Sequence, residues 1–273
     1  MDPILIFGLL MIGIGASIIG TIFGMGGGII FIPVLTIIFG LTANEAAAVS
    51  LVGIVATSTG AAAIYVKSGL SNVRLGLMLE ITTSVGAICG AVIATYLANW
   101  LLLCIFSMML IYSAIHMIFH AERIVEPTEE DGEFTFSYID AKENKEKRYR
   151  VENIKSGLTM CTAAGMISSM TGVGGGVIKV PLMNIHMHVP IKIASATSSY
   201  MIGITAFSGA IVYFLHGDLL LEYAAAIAIG AYIGSIIGTR IARCLNANSI
   251  RKYFSIVLLT VSIIILFEAG GYL

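Results

Sequence analysis

Charge is scarce in this 273-residue sequence: Asp, Glu, Lys and Arg make up 11% of it, against 58% hydrophobic residues. Soluble globular domains carry about 25% charged residues, so the composition excludes an ordinary soluble protein and points to an integral membrane one. Cysteine is also sparse. Cys89, Cys104, Cys161 and Cys244 are scattered among apolar neighbours and never form a C-x-x-C pair, which excludes a redox motif and leaves buried, inert thiols. His116 and His120 stand one helical turn apart with no third ligand and no H-E-x-x-H glutamate, so no zinc site is expected; His186 and His188 read as interfacial. No Ser/His pair, paired aspartates or metal-ligand set recurs at helical spacing, so neither an enzyme nor a cofactor is expected. The opening "MDPILIFGLL" has no basic region ahead of its apolar run, and it reads as a mature helix rather than a cleaved signal.

What is present is a series of apolar runs, at 4–23, 45–66, 75–98, 100–119, 193–215, 219–239 and 252–268, each long enough to cross ~30 Å of hydrocarbon as a helix. Glycine is plentiful, and it clusters. "GMGGGIIFIP" at 24–33 returns as "GVGGGVIKVP" at 172–181. Sliding the chain by 148 positions, the distance from Gly24 to Gly172, aligns the two without a gap and also matches Ser50 with Ser198, Thr57 with Thr205, Tyr65 with Tyr213, and Gly86 and Gly90 with Gly234 and Gly238. Roughly three in ten positions from 24 to 97 are identical to their counterparts, the mark of a two-halved membrane protein.

The basic residues set the relative orientation of the halves. Lys67 and Arg74 follow the third apolar segment of the first half, whereas Arg240, Arg243, Arg251 and Lys252 follow the fourth segment of the second. If both loops are cytoplasmic, as basic loops are, the halves are inserted upside down relative to each other. An inverted repeat needs an odd number of crossings per half, so the first two segments of each half must form a hairpin that returns to its starting side. The expected fold is therefore an all-α integral membrane protein of two inverted-topology repeats, each with a Gly-rich broken-helix hairpin plus three full spans. Its units are a first membrane repeat at 1–120, an insert at 121–152 and a second membrane repeat at 153–273. Both termini are expected outside a multi-pass cell-membrane protein, and the insert in the cytoplasm.

Irregular backbone at membrane depth is tolerated only inside protein or beside a wet cavity. Gly24, Gly26, Gly27 and Gly28, with Gly172, Gly174, Gly175 and Gly176, therefore mark an interior site, where bare backbone and helix N-termini favour an anion. The glycines of Gly86-x-x-x-Gly90 and Gly230-x-x-x-Gly234-x-x-x-Gly238 are expected instead to serve close helix packing. Lys179, which replaces Phe31 of the first half, offers a positive charge at depth, and its burial could couple anion binding to proton movement. The competing reading lets Lys179 snorkel to the surface. Ser50 and Ser198 are candidate ligands, and Thr57, Ser58, Thr59, Thr197, Ser199 and Thr205 candidate path-lining hydroxyls. Glu45 and Lys192 read as solvated helix ends.

The insert is the one sizeable hydrophilic stretch. Its "EFTFSYID" and "AKENKEKRYRVEN" alternate about a turn-like centre, which predicts a small β-hairpin or else a solvated linker. Nucleic-acid binding has no support in its pattern.

The motifs "FGMGGGIIFIPVL" and "TGVGGGVIKVPLM" resemble those of the TauE/SafE sulfite exporter-like family, also called the toluene sulfonate uptake permease group. The resemblance implies a carrier of sulfite, sulfoacetate, sulfonate or related sulfur-containing anions. Residue chemistry alone reaches "anion". The resulting expectation is a secondary transporter in the lipid bilayer, working by alternating access around the two turns, with coupled protons and oligomeric state open. A passive anion channel sharing the site, and a scaffold or sensor acting through the insert, are the alternatives.

Overall fold

A computed structural model describes residues 3–94, 107–108, 111, 114–115, 134–140 and 145–269. The first half contributes α1 (Pro3–Phe23), α2 (Gly28–Pro33), α3 (Ala43–Lys67) and α4 (Val73–Ala94). Strands β1 (Thr135–Asp140) and β2 (Lys145–Arg150) form an antiparallel hairpin. The second half contributes α5 (Ile154–Thr171), α6 (Gly176–Pro181), α7 (Ile191–His216), α8 (Leu221–Cys244) and α9 (Ala247–Ala269). The run at 100–119, His116 and Cys104 included, lies almost entirely outside the described residues, as does His120. Helices α1, α3, α4, α7 and α8 are each long and apolar enough to cross a membrane, and the protein is an all-α integral membrane protein.

The short helices break where the sequence demands it. Pro33 and Pro181 end α2 and α6, and the chain widens at once into five-residue π-helical segments, Val34–Ile38 and Leu182–His186. A proline ring crowds the preceding turn and removes a donor, and a wider coil relieves that crowding. The six residues of α2 and five of its π segment rise roughly 17 Å, well short of a bilayer core. At the start of α3, Thr42 and Glu45 cap each other reciprocally, Glu45 Oε2 accepting from Thr42 N at 2.9 Å. That makes Glu45 a helix cap.

The halves interlock. A Cβ on Gly234 would strike the backbone of Ile14, and one on Gly238 that of Ile18, so α1 and α8 lie side by side and run parallel at close quarters. The same holds for Gly86 against Thr162 and Gly90 against Met166, which joins α4 to α5. These are the same contact seen twice, displaced by the repeat, and the small residues that permit it do the packing work expected of them. Between the two pairs lie α3 and α7. Ser58 bonds the carbonyl of Ser199 while Leu51 lies near Gly209, so these two helices run antiparallel. With α1 parallel to α8, and α8 turning back from α7, the two halves thread the bundle in opposite senses.

Every described Lys and Arg except Lys179 lies toward the end of the bundle that carries the β-hairpin, among them Lys67, Arg74, Lys192 and Arg243, whereas Glu45, Asp218 and Glu222 lie at the other end. The hairpin is docked on that basic end. Asn72, in the α3–α4 loop, donates from Nδ2 to Tyr149 Oη at 2.9 Å and from its backbone to Thr197 Oγ1 at 2.9 Å. Arg74 stacks over Phe134, and the Glu152 amide bonds the carbonyl of Met187. Burial pushes the Tyr149 hydroxyl up to about 12, so the ring docks as a neutral group.

Candidate functional site

The two glycine turns meet. Each adopts the same backbone: φ is 74°, 75° and 90° at Gly24, Gly26 and Gly27, and 68°, 85° and 69° at Gly172, Gly174 and Gly175. Gly27 and Gly175 are the left-handed caps that start α2 and α6, a conformation that costs an L-residue roughly 1–2 kcal/mol. Gly28 and Gly176 are required for a different reason. A Cβ on Gly176 would overlap the carbonyl of Gly24, and one on Gly28 would come within 2.8 Å of the carbonyl of Val173, so the tips touch through bare backbone. Both tips lie against Ile54, near the middle of α3, and the first also lies against Ile202, near the middle of α7.

Hydroxyls from the central helices stitch each tip to the opposite half. Ser50 Oγ donates to the carbonyl of Gly172 at 3.1 Å, and Ser198 Oγ to that of Gly24 at 2.7 Å. Behind the tips, Tyr65 Oη donates to Thr21 O and Tyr213 Oη to Ser169 O, again a repeat-related pair. Some amides expected to face a ligand are occupied internally: those of Met25 and Gly26 bond Gly20 O at 2.7 and 3.2 Å, and that of Gly176 bonds Gly174 O at 2.9 Å. The remaining hydroxyls mostly serve packing. Thr57 pairs with Ser17 at 2.7 Å, Ser58 bonds Ser199 O, and Thr59 bonds Val55 O within its own helix. The side-chain oxygens of Thr21, Ser169 and Ser199 are buried with no hydrogen-bond partner among the described residues.

Lys179 does not snorkel. It is fully buried, one turn into the second half's short helix, its backbone N–H bonded to Gly175 O. Its Nζ lies 2.9 Å from Oε2 of Glu80, a residue 3% exposed on α4 of the other half. Thr205 on α7 closes the ring, accepting from Lys179 Nζ at 2.6 Å and donating to Glu80 Oε1 at 2.5 Å. Thr83 Oγ1 and Ser84 Oγ complete the shell of Glu80 at 3.1 and 3.0 Å. Lys179, Thr205 and Ser84 thus donate to the two carboxyl oxygens, and Thr83 shares its one proton between Glu80 Oε2 and Leu79 O, the latter at 2.8 Å. Lys179 is therefore no solitary counter-charge but half of a neutral pair, 99 residues apart in sequence. Such a pair adds little net stability, because desolvation consumes most of the attraction, so its presence at depth marks function. Glu80 went unsingled in the sequence, although the rule that picked out Lys179 applies equally to an acid inside the 75–98 apolar run.

A cleft at the hairpin end is lined by Lys192, Arg243, Tyr65, Tyr138, Ser195 and Ile22. Ser195 Oγ bonds Ile22 O, and the Ser195 backbone packs on Gly24, so the floor of the cleft is the root of the first glycine turn. Of the cysteines, Cys161 is buried while Cys89 and Cys244 are exposed, all as free thiols. Among the described residues no group of three or more His, Cys, Asp and Glu is arranged to hold a metal ion.

Comparison with known proteins places the chain among membrane transporters. The family model for sulfite exporter TauE/SafE matches residues 9–265. "Probable membrane transporter protein YunE" of Bacillus subtilis is 26% identical over 95% of this chain and 97% of its own length. A "Probable membrane transporter protein" of Haemophilus influenzae is 24% identical over 94% of both. "Probable membrane transporter protein MamO" of Paramagnetospirillum magneticum is 24% identical over 92% of this chain but only 42% of its own. No solved structure matches at a significant level.

Proposed function

The chain belongs to the sulfite exporter TauE/SafE family of membrane proteins, and from that premise we propose that it is a secondary transporter, not an enzyme, that carries small sulfur-containing anions of the sulfite, sulfonate, sulfoacetate or thiosulfate type. The observation that carries the reading is the meeting of two oppositely threaded glycine turns at mid-height, with a buried cation one helical turn away. The solute occupies the junction of the turns beside Lys179, held by turn amides other than those of Gly24, Met25, Gly26 and Gly176 and by the hydroxyls of Ser50 and Ser198, which exchange carbonyl for solute. The unpartnered hydroxyls of Thr21 and Ser169, three residues before each turn, extend the polar lining toward either side.

Tight packing at the tips favours a carrier over an open pore. The bodies that rock are not the sequence halves but the interlocked pairs, α1 with α8 and α4 with α5, pivoting about α3 and α7. In this reading the basic end faces the cytoplasm, the side that Lys and Arg bias favours, with both termini outside a cell membrane and the Lys192–Arg243 cleft as the inner approach for an anion.

Purified protein in liposomes, loaded and assayed for sulfite, methanesulfonate and thiosulfate flux, tests the reading. Saturable flux of at least one of these, lost in Lys179→Ala, is expected. Absence of flux for the whole panel, or parental flux in Lys179→Ala, would sink it.

A further inference from the structure

We propose that Glu80 is the proton carrier of this transporter: the anion takes over Lys179 from Glu80, and Glu80 accepts a proton in exchange, so that anion and proton cross together. The inference rests on the transport reading above and deepens it by naming the coupling ion and its seat.

Charge conservation at depth drives the argument. Glu80 and Lys179 are the buried charged side chains of the described residues, and together they sum to zero. Seating a monovalent anion on Lys179 while Glu80 stays ionised would leave one net negative charge in a water-poor interior, which desolvation strongly disfavours. If Glu80 binds a proton from the aqueous phase in the same half-cycle, the site holds an ammonium, an anion and a neutral acid, and its charge remains zero. On release to the other side the anion leaves, the proton leaves Glu80, and the ion pair re-forms. No bond other than O–H at Glu80 is made or broken.

The shell of Glu80 suits both states. Its partners besides Lys179 are the hydroxyls of Thr205, Thr83 and Ser84, and a hydroxyl rotates from donor to acceptor without moving its oxygen. A backbone amide or a guanidinium in their place would have fixed the carboxyl in its ionised form. Thr205 already touches both charges, so it keeps one hydrogen bond to each when the anion parts them. The titratable groups facing Glu80 are Lys179 from α6 and the thiol of Cys161 from α5, which is electrostatically close to both; α7 and the rest of α4 contribute hydroxyls. The repeat counterpart of Glu80 is Ala228, and that of Lys179 is Phe31, so the repeat does not duplicate the device.

Liposomes holding a trapped pH dye, with an imposed methanesulfonate gradient, provide the test. In the parent protein the proposal expects one proton to enter with each sulfonate, at a rate unaffected by a potassium–valinomycin voltage because the pair is electroneutral. In Glu80→Gln, which keeps the size but cannot bind the proton, the number of protons entering per sulfonate moved should fall at least about tenfold, whatever the sulfonate rate. Glu80→Asp, which retains a carboxyl, should retain coupling and so separates loss of titration from loss of folding. Parent flux without proton entry, or coupling that survives in Glu80→Gln, would overturn the proposal and leave the transport reading standing. Absence of any anion flux in the parent would overturn both.

Discussion

The two halves of this protein share a scaffold and differ in what fills it. In the first half Phe31 sits one turn beyond the glycines, fully buried in an apolar cluster with Leu9, Ala16 and Ile227, its ring close enough that a Cβ on Gly53 would fall 2.9 Å from it. In the second half Lys179 occupies the matching position and meets Glu80 and Thr205, whose repeat counterparts are Ala228 and Thr57. The turns, their positive φ angles and the crossing serine bonds are duplicated; the charge is not. Backbone that two elements must share can be repeated freely, whereas a second buried ion pair would add a desolvation cost and, in a proton-coupled carrier, a second uncontrolled titration. Symmetry here belongs to the architecture, and the chemistry resides on one side.

Substitutions at the matched positions sharpen that contrast. The largest effect belongs to the charged side: Lys179→Met alone strands Glu80 in the interior and should cost about 3–5 kcal/mol, read as a large drop in thermal stability in detergent. Phe31→Met, its counterpart in the first half, should cost less than about 1.5 kcal/mol. Pairing Lys179→Phe with Glu80→Ala, which gives each position the residue of its repeat counterpart, should recover much of the lost stability and abolish anion flux; recovered stability with intact flux would show the pair to be dispensable for transport. Next come the turns, where the halves should respond alike. Gly28→Ala and Gly176→Ala each place a methyl against the backbone of the opposite tip, and each should destabilise by at least about 1–3 kcal/mol with loss of flux. A large effect in one turn and none in the other would break the architectural equivalence.

Smaller again are the crossing bonds. Ser50→Ala and Ser198→Ala should each cost about 1 kcal/mol, with similar thermal shifts, because each removes one donor to one carbonyl in a symmetric setting. Weakest is the hairpin contact. Tyr149 is ordinarily a group of about 10 and is raised to about 12 when docked, so docking is at full strength below pH 10 and fades as pH rises toward 12. Protease protection of residues 145–150, followed across that window, should show the loss, and Tyr149→Phe should forfeit the bond from Asn72 while keeping most of the packing.

Much of this was legible before any coordinates. The glycine clusters, the paired serines and the opposed threading all follow from local composition and from the repeat. The small-residue spacings at Gly86 and Gly234 correctly named packing surfaces, though not what packs there. What stayed hidden was long-range. Glu80 and Lys179 meet because α4 of one half packs on α5 and α7 of the other, and no local pattern reports a contact made through that exchange. The serines were visible as polar residues at matched positions, but their acceptors lie 122 and 174 residues away. Several of the turn amides read as bare are occupied by Gly20 O and Gly174 O, since glycine-rich backbone folds onto itself before it meets a solute.

The parallel seams between α1 and α8 and between α4 and α5 carry a lesson about origin and assembly. Neither half can finish its own packing, since each lends its opening long helix to the fourth segment of the other. A single ancestral half, inserted in both orientations, would have needed a second copy of itself to close the same bundle. A present-day chain severed between residues 120 and 134 should accordingly regain a complete body only when its two fragments are made together.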